Sequence, residues 1–134
     1  MTPTQKIKKH LLNRLAVSDS LQLPELATGE QVDIVYAQYG STHGDELHDI
    51  SSGVRAGQVQ TSLLPYICNA RLLRDYDADM VATQMDDGSW VGWTYWHGGG
   101  RHGEPSAIQW MEDAIELSCV ETEKVIIERT FSTI

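Results

Sequence analysis

Apolar residues near the start of the chain recur at helical spacing. Ile7, Leu11 and Leu15 fall four apart, with Leu12 beside them, so one stripe of a helix is apolar. Thr2-Pro3 supplies a hydroxyl N-cap followed by proline at the first helical position. The stripe suits packing on the domain, while the lysines around it stay in water. The next stretch, "SDSLQLPELATGEQ", has no period. Pro24 and Gly29 punctuate it, and it reads as a linker.

"VDIVYAQY", residues 32–39, is β-branched and aromatic on both faces and reads as a strand. Residues 40–58 hold four glycines, several serines and several acids. That composition predicts a long loop with one short helical turn near residues 46–50. In "TSLLPYICNARLLRDY" the alternation of Tyr66, Cys68, Ala70 and Leu72 favours a strand over residues 66–76, and Pro65 argues against a helix.

"DMVATQM" and "WVGWTYWH" are predicted as two strands of a hairpin. Asp87-Gly88 supplies a two-residue turn whose positive φ values Asp and Gly tolerate. Glu104-Pro105 opens a predicted helix, with Ile108, Met111 and Ile115 as its apolar face. "IELSCV" and "KVIIERTF" complete the pattern as a second hairpin turning at residues 121–123. Val125, Ile127 and Arg129 share one face of its last strand, and Ile126 lies opposite. The expectation is a single α+β domain over residues 1–134. It is an antiparallel β-sheet of about five strands, with the N-terminal helix and a second helix (about 105–114) packed on one face.

Composition narrows this little. The chain has 134 residues, 41% hydrophobic and 22% charged, enough for one core that buries about two-thirds of the unfolded surface. No apolar run approaches the ~20 residues that cross a bilayer. The basic lead is followed by an apolar block broken at Asn13 and Arg14, so no signal peptide is read and a cytoplasmic location is expected. Cys68 and Cys119 each sit in an apolar alternation and are expected to be buried thiols.

Charge changes the picture more. Residues 1–17 carry +4 through Lys6, Lys8, Lys9 and Arg14. The remainder therefore carries −13 of a net −9. An acidic body repels phosphates, which disfavours direct nucleic-acid binding. It attracts a protein partner with a basic surface. No membrane association is expected, and the oligomeric state is not legible.

The densest stretch is "WVGWTYWHGGGRHGEPSAIQW". Alternation puts Trp90, Gly92, Thr94 and Trp96 on one face, and Val91, Trp93, Tyr95 and His97 on the other. An exposed aromatic face would stack a ligand or anchor a partner. Gly92 leaves room for a bulky neighbour, such as a ring on the adjoining strand, or for a ligand. Gly98, Gly99 and Gly100 let the chain turn before Arg101, His102 and Glu104. The candidate partner- or ligand-binding set is therefore Trp93, Tyr95, Trp96, His97, Gly98, Gly99, Gly100, Arg101, His102 and Glu104.

No Gly-Lys-Ser/Thr follows the glycines, so they form no Walker loop, and no parallel βαβ unit surrounds them. There is no GxSxG elbow and no HExxH pair. The main reading therefore assigns no catalytic residue, metal or cofactor. An alternative brings His43, His48, His97 and His102 together around a transition metal, with Glu104 or Asp45 as general base.

The leading expectation is a small acidic interaction protein without enzymatic activity. It would act as an inhibitor, an adaptor or a mobile-element accessory factor, and one variant is a nucleic-acid mimic. The alternative is a metal-dependent hydrolase or ligand-binding protein built on the glycine-rich turn and the His43–His48 loop.

Overall fold

The computed structural model describes residues 1–64, 76–98 and 109–134. Over these residues the chain forms α1 (Pro3–Asp19), α2 (Gly29–Thr42), α3 (Gly44–Arg55), β1 (Val59–Gln60), β2 (Asp77–Gln84), β3 (Trp90–His97) and β4 (Ile115–Leu117). The fold is α+β. Its four-stranded sheet runs in the order β1-β2-β3-β4, with every neighbouring pair antiparallel. The strands number four among the described residues, against about five expected.

Helix α1 follows its sequence closely. Thr2 Oγ1 accepts the Gln5 N–H, the Gln5 side chain accepts the Thr2 N–H, and Pro3 fills the first turn. Ile7, Leu11 and Leu15 are fully buried. They pack into one cluster with Val81, Met85, Val91 and Trp93 of the β2–β3 hairpin. Leu12 points to a second cluster with Leu26, Val32 and Val35. One helix thus ties the sheet to α2.

Residues 32–39 lie within α2 and are not a strand. Val32, Val35, Tyr36 and Tyr39 are spaced three and four apart, so they share a helical face, and that face meets Leu12. Thr28 and Gln31 form a second capping box that nucleates the helix. Cap and packing outweigh the β-propensity of Val, Ile and Tyr.

The long loop is likewise helix α3. His43 ends α2 and opens α3. Leu47, Ile50 and Val54 supply an apolar stripe that joins the sheet cluster. Asp45 and Glu46 sit at the positive end of its dipole and Arg55 at the negative end. These terms offset the weak helix propensity of Gly44, Ser51, Ser52 and Gly53.

β2 and β3 pair as an antiparallel hairpin, as expected, but Asp77 lies opposite His97 and Gln84 opposite Trp90, where a two-residue turn at Asp87-Gly88 would set Met85 opposite Trp90. Its loop differs from the expected two-residue turn. The Met85 N–H donates to Ser89 O at 2.8 Å, and Asp86, Asp87 and Gly88 lie between them. Gly88 takes φ of 86°. This is a three-residue loop whose left-handed position requires glycine.

The atoms nearest the room at Gly92 belong to the Leu117 and Met80 side chains and the Val81 carbonyl.

The expected strand at 66–76 lies outside the described residues except for Tyr76. The second helix expected at about 105–114 is not formed over residues 109–114. There the Ala114 N–H donates to Met111 O in a turn, and Ile115 enters β4. Its first residues, 105–108, lie outside the described set. Trp110 packs against Trp93 with ring centroids 4.9 Å apart, and this contact takes the place of a helical face. Residues 118–134 form neither helix nor strand and are exposed throughout, so "KVIIERTF" is not a strand of this sheet. Cys119 is exposed too, not buried.

Candidate functional site

Trp93 and Trp96 are interior residues. Trp93 is 0% exposed and Trp96 is 3% exposed. Alternation explains how both are covered although they point to opposite faces. Trp93 shares the helix-facing side with Val81 and Val91. Trp96 lies on the other side with Met80 and Thr94, which are buried as well. The Trp93 indole N–H donates to Arg55 O at 2.8 Å, so its one polar atom locks the end of α3 to the sheet. Neither indole offers a free face to a ligand.

Tyr95 and His97 occupy the half-exposed end of the helix-facing side. The Arg55 guanidinium lies 4.8 Å from the Tyr95 ring centroid. Tyr95 stacks on His97, with centroids 5.0 Å apart. His97 Nε2 is 2.6 Å from Asp79 Oδ2, and the Gln60 amide donates to Asp79 Oδ1 at 3.1 Å. Arg55 Nη1 also donates to Trp96 O at 2.7 Å. Cation, phenol, imidazole and carboxylate therefore form one ordered strip at the C-terminal end of α3. Gly98 closes β3 with φ of 69°, as the turn requires. Gly99, Gly100, Arg101, His102 and Glu104 lie outside the described residues.

The described histidines of the metal alternative are not brought together. His97 is held by Asp79. His48 lines a cleft of about 460 Å³ with Tyr36, Leu47, Arg55, Trp110 and Met111. His43 lies elsewhere, at the α2–α3 junction. There its ring nitrogen approaches the carboxylates of Asp19 and Glu46, and the three donor atoms lie within 4.8 Å of one another. His102 lies outside the described residues.

The same junction gathers several acids. Asp19 ends α1, and Asp45, Glu46 and Asp49 occupy the first half of α3. The Glu46 pKa is raised above its ordinary value. The main cause is its hydrogen bond with Asp19, followed by desolvation and the charge of Asp19. Asp45 adds to the rise, and His43 opposes it. Among the described residues, no lysine or arginine ion pair reaches any of these four acids.

The basic residues of α1 are used elsewhere. Lys6 bridges Asp87 at 3.4 Å and also Glu116, and it hydrogen-bonds Ser89 Oγ. Lys8 pairs with Asp33 at 3.2 Å. His10 and Asn13 hold Asp86. The positive lead in the sequence thus fastens α1 to the hairpin, to β4 and to α2. The acids of α3 receive none of it.

Along α3 these features fall in order: the acidic corner at Asp45 and Glu46, the cleft beside His48, and the Arg55–Tyr95–His97–Asp79 strip. A helix of this length spans about 18 Å. The cleft and the acidic corner are not legible in the sequence, because composition alone reads the α2 and α3 segments as a strand and a loop. Two signals were present, the Thr28-x-x-Gln31 capping box and the Leu47–Ile50–Val54 spacing. The fold sets the class, an α+β arrangement of three helices and an antiparallel sheet with α1 packed on the sheet. No protein-family model matches the chain, and neither a curated protein nor a solved structure matches it.

Proposed function

We propose that this chain is a small acidic interaction protein that binds a basic surface of a protein partner and performs no chemistry of its own. The supporting observation is the acidic corner of α3. Asp19 and Asp45 lie close enough to Glu46 to raise its pKa, Asp49 follows on the same helix, and none of the four has a lysine or arginine ion-pair partner among the described residues. A basic side chain from outside would relieve that repulsion. The half-exposed Tyr95 and Arg55 are residue types that anchor interfaces. An inhibitor or adaptor that presents carboxylates where its target binds phosphates fits the same surface.

The test is calorimetric titration of an arginine-rich peptide into the full chain at several salt concentrations. The reading expects binding that weakens with salt and loses roughly tenfold in affinity in Asp45→Lys/Asp49→Lys. Affinity unchanged by that reversal, or no binding at low salt, would sink the reading.

A divalent cation is a second reading, favoured by the convergence of Asp19, His43 and Glu46. Zinc titrated into the protein would then bind at one equivalent and be lost in His43→Ala. No zinc heat at all removes this reading and leaves the first in place.

A further inference from the structure

Residues 118–134 present Val120, Val125, Ile126, Ile127, Phe131 and Ile134 to solvent, each at least 75% exposed. Isolated exposed apolar residues are ordinary, but six in one segment are not. The segment reads "TEKVIIERT" from Thr122 to Thr130, and it is chemically symmetric about Ile126.

In two antiparallel copies with Ile126 opposite Ile126, every pair is favourable. Val125 faces Ile127, and Lys124 faces Glu128. Glu123 faces Arg129, and Thr122 faces Thr130. Opposite charges, β-branched pairs and Thr–Thr pairs are the combinations that stabilise directly opposed positions on neighbouring strands. A two-fold axis through Ile126 makes each charge pair occur twice.

We propose that this segment pairs with the same segment of a second copy of the chain, forming an intermolecular antiparallel β-ribbon with its dyad at Ile126. Folding back on β4 is the competing arrangement. With a three-residue turn at 121–123 it sets Glu116 opposite Glu128, a like-charge pair, and Glu116 is already held by Lys6. The ribbon avoids that clash.

A two-stranded ribbon alone is marginal in water, so its apolar face must be covered. That face carries Val125, Ile127 and Phe131 from each copy. Each body offers exposed Leu64 and half-exposed Ile115, both lining a cleft of about 520 Å³ with Met80 and Ala114. Ribbon and clefts together supply apolar contact from both copies toward the ~1,600 Å² of a stable interface.

The experiment is sedimentation equilibrium of the full chain and of variants at exposed positions, where folding is not at risk. The wild type is expected to dimerise. Lys124→Glu and Glu128→Lys each place like charges across the dyad twice, and each should weaken the dimer roughly tenfold or more. An equimolar mixture of the two variants pairs Glu with Lys at every crossing and should recover wild-type association. The double variant Lys124→Glu/Glu128→Lys should recover it alone. Three results would overturn the proposal: a wild-type monomer at all concentrations, a dimer indifferent to the single changes, or a mixture no stronger than its components.

Discussion

Asp87 shows how one side chain shapes the hairpin. Its carboxyl is held at about 2, first because the Ser89 hydroxyl and N–H both donate to it, with Lys6 adding to the effect. A carboxyl whose folded pKa is depressed adds stability above its unfolded value near 3.8, and that stability is lost as the pH falls toward 2. The side chain is half exposed, so screening keeps the contribution below about 1 kcal/mol. Ser89→Ala is expected to move the Asp87 midpoint up toward 3.8, seen by carboxyl-detected NMR, and to make acid unfolding begin at higher pH. A midpoint that stays near 2 would assign the shift to Lys6. At the same scale, the indoles of Trp93 and Trp96 belong to the core: both faces of β3 are covered, and the aromatic density of the sequence is packing density.

The elements were legible where period and punctuation agreed. α1 announced itself through Thr2-Pro3 and a four-residue stripe, and the hairpin through Asp87-Gly88 between alternating strands. α2 was hidden because Val32, Ile34, Val35, Tyr36 and Tyr39 satisfy both strand composition and helical spacing. Composition does not decide between these, whereas the capping box does. Thr28→Ala should therefore lower the thermal midpoint by about 4 °C, for a cost of about 1 kcal/mol, with a loss of far-ultraviolet helical signal. No change would mean that packing against Leu12 and Leu26 alone holds the helix. α3 was hidden by its glycines and serines, whose weak propensity is offset by Leu47, Ile50 and Val54 against the sheet. "KVIIERTF" carries a strand pattern with no partner in its own sheet, because alternation encodes a face and not the strand that covers it. At the candidate site, alternation puts Tyr95 and His97 on one face of β3, which the strand pattern alone makes legible. Arg55, Asp79 and the acidic corner are not legible in that way, since they meet only through tertiary contacts.

Across the whole molecule, charge is unevenly distributed. The sequence separates a positive lead from a negative body. In the fold Lys6 and Lys8 pair with Asp87, Glu116 and Asp33, the His10 ring holds Asp86 by a hydrogen bond, and the acids in the first half of α3 have no lysine or arginine partner among the described residues. No helix among the described residues is long and apolar enough to cross a membrane. A carboxyl whose folded pKa is raised favours the fold at low pH and loses that contribution as the pH rises through its folded value. The rise at Glu46 comes from its hydrogen bond with Asp19, desolvation and the charges of Asp19 and Asp45, and a basic side chain placed beside them would oppose it. The most direct measurement is a carboxyl NMR titration of Glu46 in the wild type and in Asp19→Asn. The account predicts a Glu46 midpoint above 4.5 that falls when Asp19 is neutralised. A midpoint at the ordinary value, unmoved by Asp19→Asn, would contradict it.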